Sequence, residues 1–289
     1  MVFTRALLHY NHSMVKILLH ASCGFIYAML AVHFWRSRWR DGPAGAVGNS
    51  RFSGWERGVL TAAVVLHASV LAGDMLGDAE FRFGFAHALS IMALLALIFY
   101  GVESMFYPLE GMPALVLPPA ALCAFMPAFF DGAVMAGKTA APAFVLHVVI
   151  AMGAYAFIAI AAAHATLMAI IEKRLHSPGR NAAPAGLPPL LTMERLLFQM
   201  LAAGFVLLTM TLASGVVFSE EIFGRALRFD HKTVFSLIAW LIFAVLLLGR
   251  HAYGWRGRAA LHGTFAGFGM LLLAYIGTRF VLEVVLNRV

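Results

Sequence analysis

Long apolar runs alternate with short polar connections along the chain, and this pattern predicts eight membrane-spanning helices. A bilayer core of about 30 Å requires about 20 apolar residues in a helix. The runs that qualify are residues 14–35, 58–77, 83–103, 113–130, 142–171, 196–218, 233–249 and 262–284. Continuous runs of this length are typical of helices rather than of barrel strands. The sequence therefore predicts an all-α, polytopic helical bundle, which we interpret as one domain over residues 1–289.

The fourth apolar run contains four prolines. They are Pro113, Pro118, Pro119 and Pro127. Proline removes a backbone hydrogen-bond donor and kinks a helix, although neighbouring helices in a membrane can satisfy the freed carbonyl groups. We therefore expect this span to be broken or tilted.

Composition agrees with a membrane protein. Hydrophobic residues make up 62% of the 289 residues and charged residues 12%, with a mean hydropathy of +0.84. Soluble domains carry about 25% charged residues. The formal charge of +7 is concentrated in loops between apolar runs, so we expect contact with lipid headgroups and not with nucleic acid. Basic residues follow spans one, five and seven, which predicts that both termini lie on the external side.

Sequence motifs of soluble enzymes are absent. The two cysteines, Cys23 and Cys123, form no CxxC pair, and the chain has no HExxH, GxSxG, P-loop or dinucleotide-binding motif. We therefore expect a protein that is not an enzyme.

Histidines are frequent for so apolar a chain, with twelve in total. The predicted topology places His20, His87, His147 and His231 near the outer third of the membrane. An ionisable residue inside a membrane is a functional-site hypothesis by default, and a neutral imidazole is a good iron ligand. The alternative for each of them is a hydrogen-bonded packing role.

Helix geometry limits which histidines could share one iron. His147 and His164 lie 17 residues apart on one predicted helix, which separates them by about 25 Å. A six-coordinate haem needs two ligands from different helices. His147 with His231 is such a pair, and His87 is a substitute for one of them.

Three stretches of the second half are similar to a known family. They are LHVVIAMGAYAF and its continuation (146–170), FQMLAAGFVLL and its continuation (198–218), and DHKTVFSLIAW through GWRGR to the last span (230–283). Together they resemble the cytochrome c assembly (CcsA-like) family, above all its shorter branch of uncharacterised inner-membrane proteins, often grouped with HemX-type proteins. The resemblance implies a bundle of about eight spans in the bacterial inner membrane that handles haem on the outer face.

The resemblance also implies roles for particular residues. His147 matches the first external histidine of the family, and Asp230 and Lys232 match the residues that close its tryptophan-rich segment. This chain has Arg228 in place of a tryptophan, and His231 where the family has proline. The second external histidine of the family has no counterpart. These matches and departures together imply that the chain binds haem but lacks the complete synthetase machinery.

Our first interpretation is therefore a non-enzymatic membrane protein that binds or relays haem near the outer leaflet in support of cytochrome c assembly. His147 and His231 hold the iron in this interpretation, and Arg225, Arg228 and Lys232 pair with the haem propionates. Other membrane proteins or cytochrome-assembly proteins are the expected partners.

Two alternatives belong to other functional classes. One is a haem-free accessory or regulatory membrane protein, connected with tetrapyrrole synthesis or metal-ion homeostasis. The other is a transporter of a small molecule or ion, which would require a cavity at the membrane midplane near His67 and the proline-containing fourth span.

Overall fold

Helices form almost the whole of the described chain. The computed structural model describes residues 2–40, 52–76, 81–109, 111–130, 132–135, 142–175, 187–223, 230–281 and 285. The long helices within these residues are α1 (Val2–Phe34), α2 (Gly54–Leu76), α3 (Phe85–Phe106), α4 (Pro113–Phe125), α5 (Pro142–Leu175), α6 (Leu190–Phe223), α7 (His231–Tyr253) and α8 (Arg258–Leu272). Seven helical segments in this part of the chain are long and apolar enough to cross a membrane. The predicted polytopic helical fold is thus confirmed, and the predicted orientation of the termini stays a prediction.

The fourth span is a short α-helix that changes into another helix type before the apolar run ends. Helix α4 runs through Pro118 and Pro119 without a break at these two residues. Both proline side chains are exposed on the outside of the bundle, and Pro113 occupies the helix start, where a missing N–H is tolerated. The α-helix ends at Phe125 and continues as a 3-10 turn that contains Pro127. The prolines therefore leave a short helix, which rises about 20 Å.

Two helices end in π-helical turns, which have one more residue per hydrogen-bonded turn than an α-helix. One π-helical segment, Trp35–Arg40, extends α1. The other, Leu273–Gly277, follows α8 and is itself followed by a short α-helical turn, Thr278–Phe280.

A short antiparallel ribbon closes one end of the bundle. Strand β1 (Phe81–Phe83) precedes α3, and strand β2 (Ala133–Met135) precedes α5. Arg82 lies opposite Val134 in the register. The ribbon therefore ties the α2–α3 connection to the α4–α5 connection.

The helices pack through small residues. Helix α5 packs along α6, α1 along α4 and α7 along α8, while α3 contacts both α4 and α5. A Cβ atom at Gly204 of α6 would lie 2.7 Å from Ile158 of α5, and one at Gly267 of α8 would lie 2.5 Å from Phe243 of α7. Such close approach is how membrane helices gain van der Waals contact without a hydrophobic driving force.

The alternating helix directions bring several chain segments to one end, which we call the His147 end. It contains the end of α2, the starts of α3, α5 and α7, and the ends of α6 and α8. Ring contacts join Phe83 to Tyr275 and Phe85 to Phe280, with centroids 6.1 and 5.5 Å apart. The opposite end, which holds His164, is called the His164 end. The predicted topology makes the His147 end external.

Candidate functional site at the His147 end

His147 lies in the second turn of α5 and is half-buried. Its Nδ1 is 2.7 Å from the hydroxyl oxygen of Ser214 on α6. The Ser214 hydroxyl donates its only proton to a backbone carbonyl of its own helix, that of Met210 at 2.8 Å or Thr211 at 3.1 Å. With the Ser214 proton on its own helix, the Ser214 oxygen can accept from the Nδ1–H of His147. This tautomer puts the imidazole lone pair on Nε2, the form in which histidine ligates a metal.

The start of α7 is fixed by Asp230. Its Oδ1 accepts hydrogen bonds from the backbone N–H and the hydroxyl of Thr233, both at 2.9 Å. Asp230 is exposed and has the geometry of a helix N-cap. Its contacts explain why the chain turns into α7 at this position. The family role that the resemblance implies for Asp230 stays a prediction.

Lys232 connects α7 to α8 and to His147. Its Nζ lies 5.2 Å from the centre of the Tyr275 ring, within cation–π range, and Tyr275 belongs to the π-helical segment that follows α8. Lys232 is also close enough to His147 for their charged forms to repel each other. The Tyr155 hydroxyl donates to the Leu271 carbonyl at 2.9 Å. This hydrogen bond holds α5 against α8 near Tyr275. The structure therefore brings Lys232 and His147 together at one end.

The remaining predicted residues of this region are placed only in part. His231 is the first residue of α7 and is exposed, next to Lys232 at the same end of the bundle as His147. Arg225 and Arg228 lie outside the described residues. The pairing of His147 with His231 on one iron therefore stays a prediction.

His87 belongs to a different set of contacts, which sequence reasoning missed. Its Nε2 lies 3.0 Å from Oδ2 of Asp74, in the last turn of α2. The same oxygen lies 3.4 Å from Nε2 of His20, and Oδ1 of Asp74 lies 3.0 Å from Nζ of Lys16. We call Lys16, His20, Asp74 and His87 the Asp74 cluster. The sequence offered one indication of this cluster: Lys16 and His20 have i, i+4 spacing, which places both on one face of α1.

The surroundings of His87 leave little room for an iron ligand. The ring is completely buried, and a Cβ atom at Gly132 would lie only 2.9 Å from it. Coordination through Nε2 would also break the contact with Asp74, leaving a buried carboxylate with fewer partners.

His67 lies in the middle of α2 and is also completely buried. Its Nε2 lies 2.8 Å from the Ser90 hydroxyl of α3, and its Nδ1 lies 3.3 Å from the Tyr27 hydroxyl of α1. We call these three residues the mid-membrane triad. Protein side chains thus occupy both ring nitrogens of the histidine that the transporter alternative required.

Two further histidines lie at the His164 end and contact carboxylates. His164 Nε2 is 2.9 Å from both oxygens of Glu103, and both residues are buried. His33 Nε2 is 2.9 Å from Glu56, whose other oxygen accepts from Arg38 at 3.2 Å. These contacts are the partners that buried ionisable groups require.

The donor set at the His147 end fits a haem better than a bare metal ion. Among the described residues, no group of three or more His, Cys, Asp or Glu could hold a metal ion. A haem needs only one or two axial ligands, because the porphyrin supplies four nitrogen atoms. The Nε2 lone pair of His147 fits an axial position, and the nearby Lys232 ammonium fits a propionate.

Comparisons with known proteins point to one family. The model of the family described as "Cytochrome C assembly protein" matches residues 56–286. The inner membrane protein YpjD of Escherichia coli K12 is 31% identical over 242 residues, which cover 80% of this chain and 89% of YpjD. The cytochrome c biogenesis protein CcsA of Synechocystis is 30% identical over 112 residues, 39% of this chain and 34% of CcsA. No solved structure matches.

Proposed function

We propose that this chain, which belongs to the cytochrome c assembly protein family, is a non-enzymatic protein that binds or relays haem near the outer leaflet of the bacterial inner membrane. The family description supports a role in cytochrome c assembly. Seven candidate spans in the described chain and the similarity to an inner membrane protein support the location.

The observation that carries this function is the fixed orientation of His147. Metal-ligating histidines usually donate their second ring N–H to a neighbouring acceptor, which sets the tautomer and the ring direction. Ser214 accepts that N–H at 2.7 Å. A hydroxyl that accepts from Nδ1–H leaves Nε2 as the atom that would bind iron.

The other residues of the site have supporting roles in this proposal. His231 would supply a second ligand to the iron, and Lys232, Arg225 and Arg228 would pair with the propionates as cations. Asp230 holds the first turn of α7 in place and thereby positions His231 and Lys232, which follow it directly. In this proposal the chain binds haem and orients it, and the iron belongs to the haem.

The experiment is a spectroscopic titration of the purified full-length protein with haemin. We expect a Soret band that saturates with haemin and that is lost in His147→Ala. In His231→Ala we expect the spectrum to change from six-coordinate to five-coordinate. The matched control is His251→Ala, because His251 is an exposed histidine near the other end of α7. Its spectrum should equal that of the parent protein.

Two results would contradict haem binding at this site. One is the absence of a saturable Soret band in the parent protein. The other is a Soret band that is the same in His147→Ala and in His251→Ala. Either result would favour the haem-free accessory function.

A further inference from the structure

Helices α1, α2 and α3 carry a buried polar stripe that the proposed haem site does not use. His20 and Tyr27 are seven residues apart on α1, and so are His67 and Asp74 on α2, so each pair lies on one helix face. The stripe consists of the Asp74 cluster at the His147 end and the mid-membrane triad below it. The Asp74 side chain is 9% exposed and Lys16 15%, while both histidines of the cluster are fully buried.

Hydrogen bonding identifies the atom at which His20 exchanges a proton. Its Nδ1 lies 3.1 Å from the backbone carbonyl of Ala124 on α4. A carbonyl only accepts, so Nδ1 carries a hydrogen. The ring therefore gains or loses its other proton at Nε2, which faces Oδ2 of Asp74 at 3.4 Å. A proton on Nε2 therefore faces the carboxylate without forming a hydrogen bond to it.

The mid-membrane triad is compatible with two hydrogen-bond directions. In one, Ser90 donates to Nε2 of His67, Nδ1–H donates to the Tyr27 oxygen, and the Tyr27 proton points to the Ala63 carbonyl at 3.4 Å. In the other, Tyr27 donates to Nδ1 and Nε2–H donates to Ser90. When Nε2 gains a proton and Nδ1 loses one, the first arrangement becomes the second. The ring has the same charge before and after.

The cluster and the triad are near neighbours along α3. His87 and Ser90 are three residues apart, a rise of about 4.5 Å on the same helix face. The buried Nδ1 of His87 and Nε2 of His20 have no hydrogen-bond partner among the described residues. Buried polar atoms of this kind are the usual partners of ordered water.

Toward the His164 end, aromatic rings close the stripe. Phe34 contacts Phe52 with ring centroids 5.3 Å apart, and Phe52 contacts Tyr100 at 6.4 Å. The next carboxylate on α2 in that direction is Glu56, eleven residues from His67, a rise of about 16 Å. Toward the His164 end, the polar stripe therefore ends at the mid-membrane triad.

We propose that the Asp74 cluster and the mid-membrane triad form a proton pathway from the His147 end of the bundle to His67 in the middle of the membrane. Protons enter at Asp74 and Nε2 of His20, pass His87 and Ser90 through water, and reach Nε2 of His67. Lys16 is the cation of the cluster, and further ionisable groups on the neighbouring elements include Cys23 on α1, Arg82 on β1 and Cys123 on α4. The pathway is independent of haem.

Deuterium exchange at the C2 position of histidine rings tests this pathway. The exchange requires a ring to change protonation state and to receive deuterons from solvent, and mass spectrometry resolves it for each histidine. The measurement uses the full-length protein in nanodiscs, without haem, at several pH values. We expect exchange at His67 that is several-fold slower in Asp74→Asn than in the parent protein. His164 is equally buried but is paired with Glu103, so its rate should not change.

Two results would overturn the pathway. One is the same His67 exchange rate in Asp74→Asn and in the parent protein. The other is an equal change at His164, which would indicate general loosening of the fold. Ser90→Ala is the second variant and removes only a hydroxyl. It should alter the rate of His67 and not that of His20, and an unchanged His67 rate would again contradict the pathway.

His147→Ala separates the pathway from the proposed haem site. It should abolish the Soret band and leave exchange at His67 unchanged. A changed His67 rate in this variant would contradict the independence of the two sites.

Discussion

In the region formed by α1–α3, His20 and His87 are buried around the Asp74 carboxylate. In the region formed by α5–α8, His147 is half-buried and its partner is the hydroxyl of Ser214. A carboxylate stabilises the protonated ring, whereas a hydroxyl that accepts from Nδ1–H stabilises a neutral ring with one fixed tautomer. Histidines at the same end of one bundle therefore have partners of different charge, a carboxylate in the first region and a hydroxyl in the second.

The first prediction removes the carboxylate of the α1–α3 region. Asp74→Ala removes the carboxylate that faces Lys16 and two fully buried histidines, so we expect the free energy of unfolding to fall by about 3–5 kcal/mol. Unfolding in mixed micelles, followed by circular dichroism, measures this loss. The control is Ser69→Ala on the exposed face of α2, whose hydroxyl bonds only the Val65 carbonyl of its own helix. If Asp74→Ala and the control are equally stable, the Asp74 carboxylate does not stabilise the α1–α3 region, and the contrast with the α5–α8 region is lost.

The second prediction concerns the pair that joins the two regions, Glu103 on α3 and His164 on α5. Glu103→Leu or His164→Leu alone leaves one buried polar group without its partner, whereas the double variant leaves none. We therefore expect the double variant to be more stable than the sum of the single losses by about 1–3 kcal/mol. The four proteins of this double-mutant cycle are compared by the same unfolding measurement. Strict additivity would mean that the pair does not couple α3 to α5.

The third prediction removes the hydroxyl of the α5–α8 region. Ser214→Ala frees the His147 ring to rotate, and loss of such a supporting contact weakens metal binding by about 10–100-fold. A haemin titration of the Soret band measures the affinity. Thr211→Ala is the matched control, since its hydroxyl bonds the Leu207 carbonyl within α6. An equal affinity in both variants would show that Ser214 does not orient the ligand.

The smallest effect on stability is expected at the start of α7. Asp230→Ala removes both hydrogen bonds to Thr233 and should lower the free energy of unfolding by about 1 kcal/mol, the usual value of a helix N-cap. Asp230→Asn retains a capping oxygen and serves as the control in the unfolding measurement. A loss of the same size in Asp230→Asn would indicate that the charge, and not the cap, stabilises this turn.

The spans could be predicted because the length of an apolar run follows from the thickness of the bilayer. The ends of the helices were less predictable. Helix α6 begins six residues before the predicted run 196–218 and ends five residues after it. A helix has no physical reason to stop where the hydrocarbon stops, so polar residues continue it. The local effect of Pro118 and Pro119 was also less predictable, because their exposed positions depend on how α4 packs.

The site could be predicted only where span direction alone decides position. Alternating directions were sufficient to bring His147 and His231 to the same end. They did not reveal Asp74 as a common partner, because its contacts join α1, α2 and α3 through helix rotations that no apolar run encodes. Ser214 was equally invisible, since a serine in an apolar span carries no distinctive pattern.

The π-helical turn Leu273–Gly277 affects how the last span should be aligned with relatives. Each residue of an α-helix advances about 100° around the axis, so one extra residue rotates everything after it by that angle. In a relative with a regular helix here, an ungapped alignment would match residues that point in different directions. Positions after Gly277 correspond to such relatives only when a one-residue gap is placed within the turn that contains Tyr275.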